Sequence, residues 1–237
     1  MQAIVLVGGL GTRLRTVLSD VPKPMAPIHG KPFLAHLLHY VKAQGITRVI
    51  FPVHYMSEKI RAYFRLHYAG MDIQYVEEDQ PLGTGGAIVN ALSVISEQRE
   101  PIFILNGDTF VKLDYQAMRD QHMHTGATLT MALRSVDDCS RYGRVITENN
   151  RIVAFLEKGE AGSGLINAGV YLINPSLFVP FNMPRAFSFE KDFMLSYLAM
   201  IKPHTFCTHD YFIDIGIPDD YARAIFDLPP FQDLDNV

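Results

Sequence analysis

The segment Leu6-Val7-Gly8-Gly9-Leu10-Gly11-Thr12-Arg13-Leu14 decides the fold of this 237-residue chain. Apolar residues 3–7 predict a short buried strand, and the three glycines that follow within four positions predict a sharp turn with bare backbone amides. Successive amides in such a turn form an anion-binding concavity. Arg13 adds a cation directly behind the turn, and Lys23 adds a second one between two prolines. The segment therefore indicates a site for a nucleotide or another polyphosphate.

The glycine turn matches neither of the common phosphate loops. It begins as G-x-G-x-x-G but ends in Leu14, which leaves the dinucleotide fingerprint incomplete. The Gly30-Lys31 pair lacks the earlier glycine of a Walker A loop. A simple strand-to-helix turn is the alternative, and the three glycines together with Thr12 and Arg13 make it the weaker interpretation.

Composition favours one large α/β domain, because the chain is 48% hydrophobic and long enough to bury a sizeable core. A net charge of −4 without a basic run gives no electrostatic footprint for nucleic acid. No apolar stretch approaches the length of a membrane span and no signal-peptide pattern precedes the first strand, so we expect a soluble, cytoplasmic protein. The two cysteines are expected to be buried, reduced thiols, and a homo-oligomer stays open.

Strand and helix patterns alternate regularly in the first half of the chain and less regularly in the second. Strands are predicted at residues 3–7, 48–53, 73–76, 102–105, 128–133, 152–156 and 170–173, and helices at 33–41, 60–66, 87–95, 189–200 and 219–226. This rhythm predicts an α/β fold with a Rossmann-like mixed, mostly parallel sheet flanked by helices, with some antiparallel pairing in the second half. His122 and His124 are assigned to a polar loop, and no cysteine accompanies them to form a zinc site.

Two acidic residues are candidates for a metal site. Asp108 ends Asn106-Gly107-Asp108, directly after the strand at 102–105, at the sheet edge where α/β proteins bind ligands. Asp214 lies between two isoleucines, where an unpaired carboxylate is costly. A shared Mg²⁺ would satisfy both, because this ion is held by one or two carboxylates and by substrate phosphates. An Asx turn at Asp108 and a carboxylate bonded to helix amides at Asp214 remain alternatives.

Two further segments carry candidate ligand groups. Pro81-Leu82-Gly83-Thr84-Gly85-Gly86 predicts either a loop beside a planar base or a helix N-terminus capped by Thr84. Glu157-Lys158 ends a predicted strand with an acid and a base, and from these residues alone a solvated strand end is the better interpretation.

The order of these motifs resembles that of the sugar-1-phosphate nucleotidyltransferase family over nearly the whole chain. Within the family, the pattern is most similar to the guanylyltransferases that act on D-glycero-α-D-manno-heptose 1-phosphate. The segments that carry this finer resemblance are Pro24–Pro27, Pro81–Ala87, Arg141–Gly143, Phe187–Glu190 and Tyr211–Gly216.

The resemblance implies a nucleotide-diphospho-sugar transferase fold in a single domain, residues 1–237, with a nucleotide-binding part at roughly 1–110 and a sugar-phosphate-binding part at roughly 111–228. It implies Mg²⁺-dependent transfer of a nucleotidyl group from GTP to a heptose 1-phosphate, with release of pyrophosphate, for capsule or lipopolysaccharide synthesis. Uridylyl, thymidylyl or mannose-1-phosphate guanylyl transfer are alternatives, as is a non-catalytic nucleotide sensor.

The resemblance also implies a role for each matching residue. Nucleotide binding falls to Leu6, Gly8, Gly9, Gly11, Thr12, Arg13, Lys23, Pro81, Gly83, Thr84 and Gly85, and catalysis to Arg13, Lys23, Asp108 and Lys158. Sugar-phosphate binding falls to Asn106, Gly143, Glu157, Lys158 and Asn167, and Mg²⁺ binding to Asp108 and Asp214. Gly159 stands where many relatives carry proline, so we expect Lys158 to be held less rigidly here.

Overall fold

The computed structural model describes residues 1–8, 21–54, 56–95, 100–159 and 161–230. The strands are β1 (Gln2–Leu6), β2 (Pro27–Ile28), β3 (Lys31–Pro32), β4 (Arg48–Val53), β5 (His67–Tyr68), β6 (Met71–Glu77), β7 (Ile102–Asn106), β8 (Thr109–Val111), β9 (Leu129–Val136), β10 (Arg144–Glu148), β11 (Arg151–Phe155), β12 (Gly164–Ile173), β13 (His204–Thr208) and β14 (Phe212–Asp214). The α-helices are α1 (Phe33–Ala43), α2 (Ser57–Phe64), α3 (Gly83–Leu92), α4 (Tyr115–Thr125), α5 (Leu198–Ile201) and α6 (Pro218–Asp227). A 3₁₀ turn covers Lys23–Met25, and a π-helical segment covers Phe189–Met194.

Ten of these strands form one sheet in the order β10-β11-β13-β9-β12-β7-β1-β4-β6-β5. Strands β6, β4, β1 and β7 are parallel, as the alternation of strands and helices predicts. Strand β12 runs antiparallel to β7 and joins this parallel part to the second half of the chain. There, β10 pairs with both β11 and β12, so five strands close into a ring. The mixed sheet confirms the predicted α/β fold class and the antiparallel pairing in the second half. That pairing is more extensive than predicted, because the parallel strands predominate only in the first half.

The side chains of the central strands alternate between two buried layers, as the pleat of a strand requires. Val5 and Phe103 point to a layer that also contains residues of α1, α2, α4 and α6. Ile4 and Ile104 point to the opposite layer, which contains residues of α3 and of the π-helical segment. Both faces of the parallel strands are therefore covered, which explains their nearly continuous apolar sequences.

The carboxyl ends of β1, β4, β6 and β7 meet at one edge of the sheet because these strands are parallel. Gly8, His54, Glu78 and Asp108 come one or two residues after the ends of these four strands. This is the edge at which open α/β sheets bind ligands.

Three local expectations from the sequence are wrong. His122 and His124 lie in α4 rather than in a loop, and the His122 ring is hydrogen-bonded to Thr130 and Asn174. The predicted helix at 189–200 is divided into the π-helical segment and α5. Cys207 is exposed rather than buried. Among the described residues, none of the helices has the length and apolarity that crossing a membrane requires.

Candidate active site

Two carboxylates and one ammonium group meet at this sheet edge. The Lys23 Nζ donates to Oδ2 of Asp108 at 2.6 Å and to Oδ1 of Asp214 at 3.1 Å. These residues are 85 and 191 positions from Lys23 in the sequence, so the fold alone brings them together. The Lys23 side chain is 12% exposed, and the two carboxylates are about one third exposed. The cluster therefore opens to solvent on the side of the carboxylates.

Short backbone contacts fix the positions of these three side chains. Strand β8 pairs antiparallel with β14, which sets Asp214 opposite Thr109, the residue after Asp108. The Gly107 N–H donates to the Leu6 carbonyl at 3.0 Å, and a Cβ at Gly107 would lie only 2.8 Å from that oxygen. Glycine is therefore required for the turn after β7 to approach β1 so closely. Lys23 sits at the start of its 3₁₀ turn, with Pro22 fixing the extended entry.

The charges of the cluster depend on one another. Burial and the neighbouring Asp108 charge raise the pKa of Asp214, against the opposing effect of Lys23. Burial lowers the pKa of Lys23, but the two carboxylates outweigh it and the net shift is upward. Lys23 therefore stays protonated and supplies the cation that the sequence pattern requires for Asp214.

A cavity of about 250 Å³ lies beside this cluster, at the carboxyl ends of β1, β4 and β6. Five of its lining residues are predicted nucleotide-binding residues, namely Leu6, Gly8, Pro81, Gly83 and Thr84. The volume is below the 300–1,000 Å³ of pockets that hold whole drug-sized ligands, and it fits one part of a larger ligand. Leu6 contributes to this cavity and also receives the hydrogen bond from Gly107, so the cavity and the cluster share the end of β1.

Two polar residues of the cavity are absent from the sequence prediction. Glu78 is 9% exposed, and its Oε2 accepts a hydrogen bond from the Leu82 N–H at 3.2 Å. Its other oxygen faces Gly8, where an added Cβ would lie 3.8 Å away. His54 Nδ1 lies 2.9 Å from the Glu78 carbonyl oxygen. Each residue directly follows a parallel strand, and this position is the signal that indicates both of them.

The glycines at the start of α3 have a packing role. The N–H of Gly85 donates to the Phe187 carbonyl at 2.9 Å, and a Cβ at Gly85 would lie 2.1 Å from the Phe187 ring. Thr84 does not cap the helix, since its hydroxyl donates to Glu190 Oε2 at 2.9 Å. Gly83 and Thr84 line the cavity, whereas the close approach at Gly85 is to Phe187.

A bulge in β12 organises the predicted sugar side. The register against β9 shifts between Asn167 and Tyr171, and Gly169 at this shift has a φ of +72°. A Cβ at Gly169 would lie 2.8 Å from Nδ2 of Asn106. The Gly169 N–H also donates to Oδ1 of Asn167 at 2.9 Å. The bulge therefore places Asn106 and Asn167 on either side of Gly169, and bulges of this kind are frequent next to active sites.

Strand register places Gly143 next to Asn167. Arg144 pairs with Ile166 in the antiparallel β10–β12 ladder, and Gly143 precedes Arg144 while Asn167 follows Ile166. A Cβ at Gly143 would lie 2.9 Å from the Leu156 carbonyl oxygen, which explains the glycine. Glu157 and Lys158 follow β11 and are both exposed. Among the described residues, no hydrogen bond or ion pair joins Lys158 to the Lys23 cluster. Their roles stay predictions.

The remaining predicted residues, Gly9, Gly11, Thr12 and Arg13, lie outside the described part of the chain. Within the described part, most of the predicted residues fall into three groups: the Lys23 cluster, the cavity, and the residues around the β12 bulge. Gly85 packs against Phe187, and the exposed Glu157 and Lys158 lie outside these groups. No group of three or more histidine, cysteine, aspartate or glutamate side chains with metal-binding geometry occurs among the described residues.

Comparison with known proteins identifies the family to which the chain belongs. The family model described as nucleotidyl transferase matches residues 2–229, and the chain belongs to this family. The resemblance drawn from the motifs is thereby confirmed. The chain is 47% identical over 224 residues to D-glycero-alpha-D-manno-heptose 1-phosphate guanylyltransferase of Aneurinibacillus thermoaerophilus, a match that covers 94% of this chain and 96% of that protein.

Two further relatives match over nearly the whole chain. A protein of the same description from Campylobacter jejuni subsp. jejuni is 42% identical over 226 residues, covering 95% of this chain and 99% of that protein. The crystal structure of HddC from Yersinia pseudotuberculosis complexed with GMP-PN matches with a TM-score of 0.85 and 36% identity, covering 96% of this chain and 99% of that one.

Proposed function

We propose that this protein transfers a guanylyl group from GTP to D-glycero-α-D-manno-heptose 1-phosphate and releases pyrophosphate. Two relatives with that description match nearly the full chain, and a third relative was crystallised with a guanine nucleotide analogue. The observation that carries the proposal in this structure is the carboxylate of Glu78 in the cavity beside the Lys23 cluster.

Glu78 favours guanine over the pyrimidine bases. Guanine presents two adjacent donors, N1–H and the N2 amino group, which one carboxylate accepts together. Uracil and thymine present a single N–H between two carbonyl oxygens, and a carboxylate facing those oxygens is repelled. Since the Leu82 N–H occupies one lone pair of Glu78, acceptor capacity remains on the face toward Gly8. The unshared acceptors therefore suit the donor edge of guanine.

The residues of the cluster fit a divalent cation. Asp108 and Asp214 direct oxygens at one common point, where the Lys23 ammonium now lies. Two hard carboxylate oxygens with solvent access are the donor set that Mg²⁺ takes together with substrate phosphates. Asp108 and Asp214 would hold this ion, which when bound supplies charge neutralisation at the α-phosphate.

The chain's own residues position and neutralise the reactants. A phosphate oxygen of the sugar 1-phosphate forms the new bond to the α-phosphorus, and the bond from that phosphorus to the pyrophosphate oxygen breaks. The attacking oxygen is already ionised at neutral pH, so no side chain has to remove a proton. Lys23 presents a positive charge to the triphosphate, and Arg13 and Lys158 are proposed to neutralise the pyrophosphate and the sugar phosphate. Catalysis then rests on orientation and electrostatic stabilisation.

A panel of substrate pairs tests this function. Pyrophosphate release is measured for GTP, ATP, UTP and dTTP, each with D-glycero-α-D-manno-heptose 1-phosphate and with α-mannose 1-phosphate. The highest kcat/KM is expected for GTP with the heptose. Faster release with mannose 1-phosphate or with a pyrimidine nucleotide would refute the substrate assignment, and no release with any pair would indicate a nucleotide sensor.

The metal assignment is tested by Asp108→Asn, which keeps the shape of the side chain and removes its charge. We expect kcat to fall at least 100-fold, or roughly 2.7–4 kcal/mol, with the fold retained. The exposed Asp210→Asn, close to the cluster in sequence, serves as the control and keeps wild-type turnover. Normal turnover in folded Asp108→Asn would contradict the assignment.

A further inference from the structure

A chain of hydrogen bonds connects the cavity to the predicted sugar side, and it passes through Glu190. Thr84, which lines the cavity, donates to Glu190 Oε2 at 2.9 Å. The Tyr171 hydroxyl donates to Glu190 Oε1 at 3.0 Å. Asn167 Nδ2 in turn donates to the Tyr171 oxygen at 2.6 Å. Each carboxylate oxygen of Glu190 thus serves one of the two substrate regions.

The direction of every bond in this chain is determined. The Phe189 N–H donates to the Thr84 oxygen at 2.8 Å, so the Thr84 proton points to Glu190. The amide of Asn167 is oriented by the Gly169 N–H on its oxygen, so its nitrogen faces Tyr171. Tyr171 is fully buried, and burial together with the nearby Glu190 raises its pKa well above the ordinary value. Tyr171 therefore remains a protonated donor. The two oxygens of Glu190 accept from Tyr171 and Thr84 separately, and Oε2 also accepts from the Ser188 hydroxyl at 3.4 Å.

The backbone that carries Glu190 is held from several sides. Ser188 caps the N-terminus of the π-helical segment, and its hydroxyl accepts from the Lys191 N–H at 3.1 Å. Phe189 and Phe193 on this segment are buried and stack at 5.9 Å between ring centroids. Single π-turns are rare in proteins, and those that occur are often found at functional sites. The position of the carboxylate is thus set by the core rather than by its own flexible side chain.

We propose that Glu190 is a positioning residue that orients Thr84 for the nucleotide and, through Tyr171, the amide of Asn167 for the sugar phosphate. This proposal rests on the proposed function for the nature of the two substrates. It predicts that the two halves of the hydrogen-bond chain affect different substrates, and that Glu190 affects both. A role confined to stability would lower the melting temperature without such a division.

Four variants test the division. Tyr171→Phe removes the link to Asn167 and is expected to raise KM for the sugar phosphate about tenfold, the effect of losing one hydrogen bond to a charged network, with KM for GTP changed less than twofold. Thr84→Val is expected to raise KM for GTP about tenfold and to change KM for the sugar phosphate less than twofold. Glu190→Gln, which offers one acceptor oxygen instead of two, is expected to raise KM for both substrates. Tyr197→Phe is the control, since its ring packs on Phe181 and Phe193 outside the chain of hydrogen bonds.

A double variant and a binding measurement complete the experiment. Because Tyr171 acts through Glu190, Glu190→Gln with Tyr171→Phe should raise KM for the sugar phosphate no further than either change alone. Additive effects, or equal effects of Tyr171→Phe on both substrates, would overturn the proposal. Each substrate is also titrated singly by calorimetry. A wild-type protein that binds its ligands but turns over no pair would refute the proposed function, while the pattern of affinities among the variants would still decide the role of Glu190.

Discussion

At the scale of single residues, the site depends on charges that are each unfavourable alone. Asp214 is partly buried beside another carboxylate, and the Lys23 side chain is only 12% exposed. Each is stable because the others are present, so removal of one changes the state of the remaining two. The placement of Lys23 between two prolines restricts its backbone before folding, which reduces the entropy lost when the ammonium is localised.

Lys23→Met is therefore expected to lower kcat/KM at least 100-fold, the usual scale for loss of a preorganised charge. The reason is twofold: the triphosphate loses a cation, and before Mg²⁺ binds, Asp108 and Asp214 lose the ammonium group that contacts both of them. Lys112→Met, an exposed lysine next to β8, is the matched control and retains activity. Steady-state kinetics with both substrates measure the difference, and equal activity of the two variants would contradict this role.

Glu78 carries a prediction about pH. Burial raises the pKa of Glu78, so the carboxylate becomes protonated at a higher pH than an ordinary glutamate. Only the ionised form accepts both guanine donors, so KM for GTP should rise as the pH falls toward this raised pKa. Glu78→Gln should raise KM for GTP by about 10- to 100-fold at neutral pH and remove this pH dependence.

The ionised Glu78 carboxylate should lower the stability of the folded protein at neutral pH, although it favours GTP binding. A folded-state pKa above the unfolded value means that the contribution of Glu78 to stability is present below the unfolded pKa and is lost as the pH rises through the folded one. At neutral pH, Glu78→Gln should therefore raise the melting temperature while it impairs GTP binding. The neighbouring exposed Glu77→Gln is the control and should shift neither quantity in this way. A melting temperature lowered together with normal KM would refute the assignment.

At the scale of secondary-structure elements, α3 is attached to the segment around Phe187 by glycine. The N–H of Gly86 also donates to the Phe187 carbonyl, at 3.4 Å, and a Cβ at Gly86 would lie 2.4 Å from the Arg185 oxygen. Alanine is otherwise the better helix former by about 1 kcal/mol. The close packing, and not helix propensity, accounts for these glycines.

Gly85→Ala is therefore expected to destabilise the protein by about 1–3 kcal/mol, because the added methyl group overlaps a ring that is itself packed against Phe178. Thermal unfolding should show a melting temperature lower by several degrees, with Val89→Ala on the exposed side of the same helix as the control. Phe187→Ala should accommodate the methyl group, so the double variant should be no less stable than Phe187→Ala alone. A Gly85→Ala variant more stable than the wild type would show that the Phe187 ring moves away to make room for the methyl group.

Elements with a strong apolar pattern could be predicted from the sequence, and those specified mainly by capping could not. β4 is found at the predicted residues 48–53, since its apolar run is buried on both faces. α4 was missed because much of its surface is polar, although Asp114 caps its N-terminus by accepting from Ala117 N–H at 2.8 Å and Gly126 ends it with a φ of +62°. Those two residues were the readable signals.

At the scale of the whole molecule, the site is assembled from segments that are distant in sequence. Residue types and strand ends indicated Lys23, Asp108 and Asp214 as site residues, but not that the lysine would contact both carboxylates. That contact requires β14 to return from the end of the chain and pair with β8. Likewise, the link from Thr84 to Asn167 depends on the π-helical segment, whose shape no local pattern indicates.

Helix α6 fastens the end of the described chain to both parts of the fold. The Tyr221 hydroxyl donates to the Pro27 carbonyl at 2.6 Å, which ties the helix to the first part. Arg141, from the turn before Gly143, donates through both terminal nitrogens to the carboxylate of Asp220 in the first turn of α6. The Asp220 side chain is 4% exposed, so this pair connects a buried charge to the predicted sugar side.

Loss of Arg141 should therefore lower the stability of the protein and weaken binding of the sugar 1-phosphate. In Arg141→Met, the ion pair that Asp220 keeps among the described residues is the one with Arg223 at 3.8 Å, and we expect a loss of about 1–3 kcal/mol, or several degrees in melting temperature. Because the freed turn carries Gly143, KM for the sugar 1-phosphate should rise while KM for GTP stays near the wild-type value. Arg223→Met is the comparison variant, since it removes a partly exposed guanidinium whose contact with the same carboxylate is longer and which also contacts Asp227 at 3.8 Å and the Phe212 carbonyl at 3.5 Å. Equal losses in the two variants would mean that general charge, rather than the bidentate pair, stabilises Asp220. An unchanged KM for the sugar phosphate in Arg141→Met would mean that the turn keeps its position without α6.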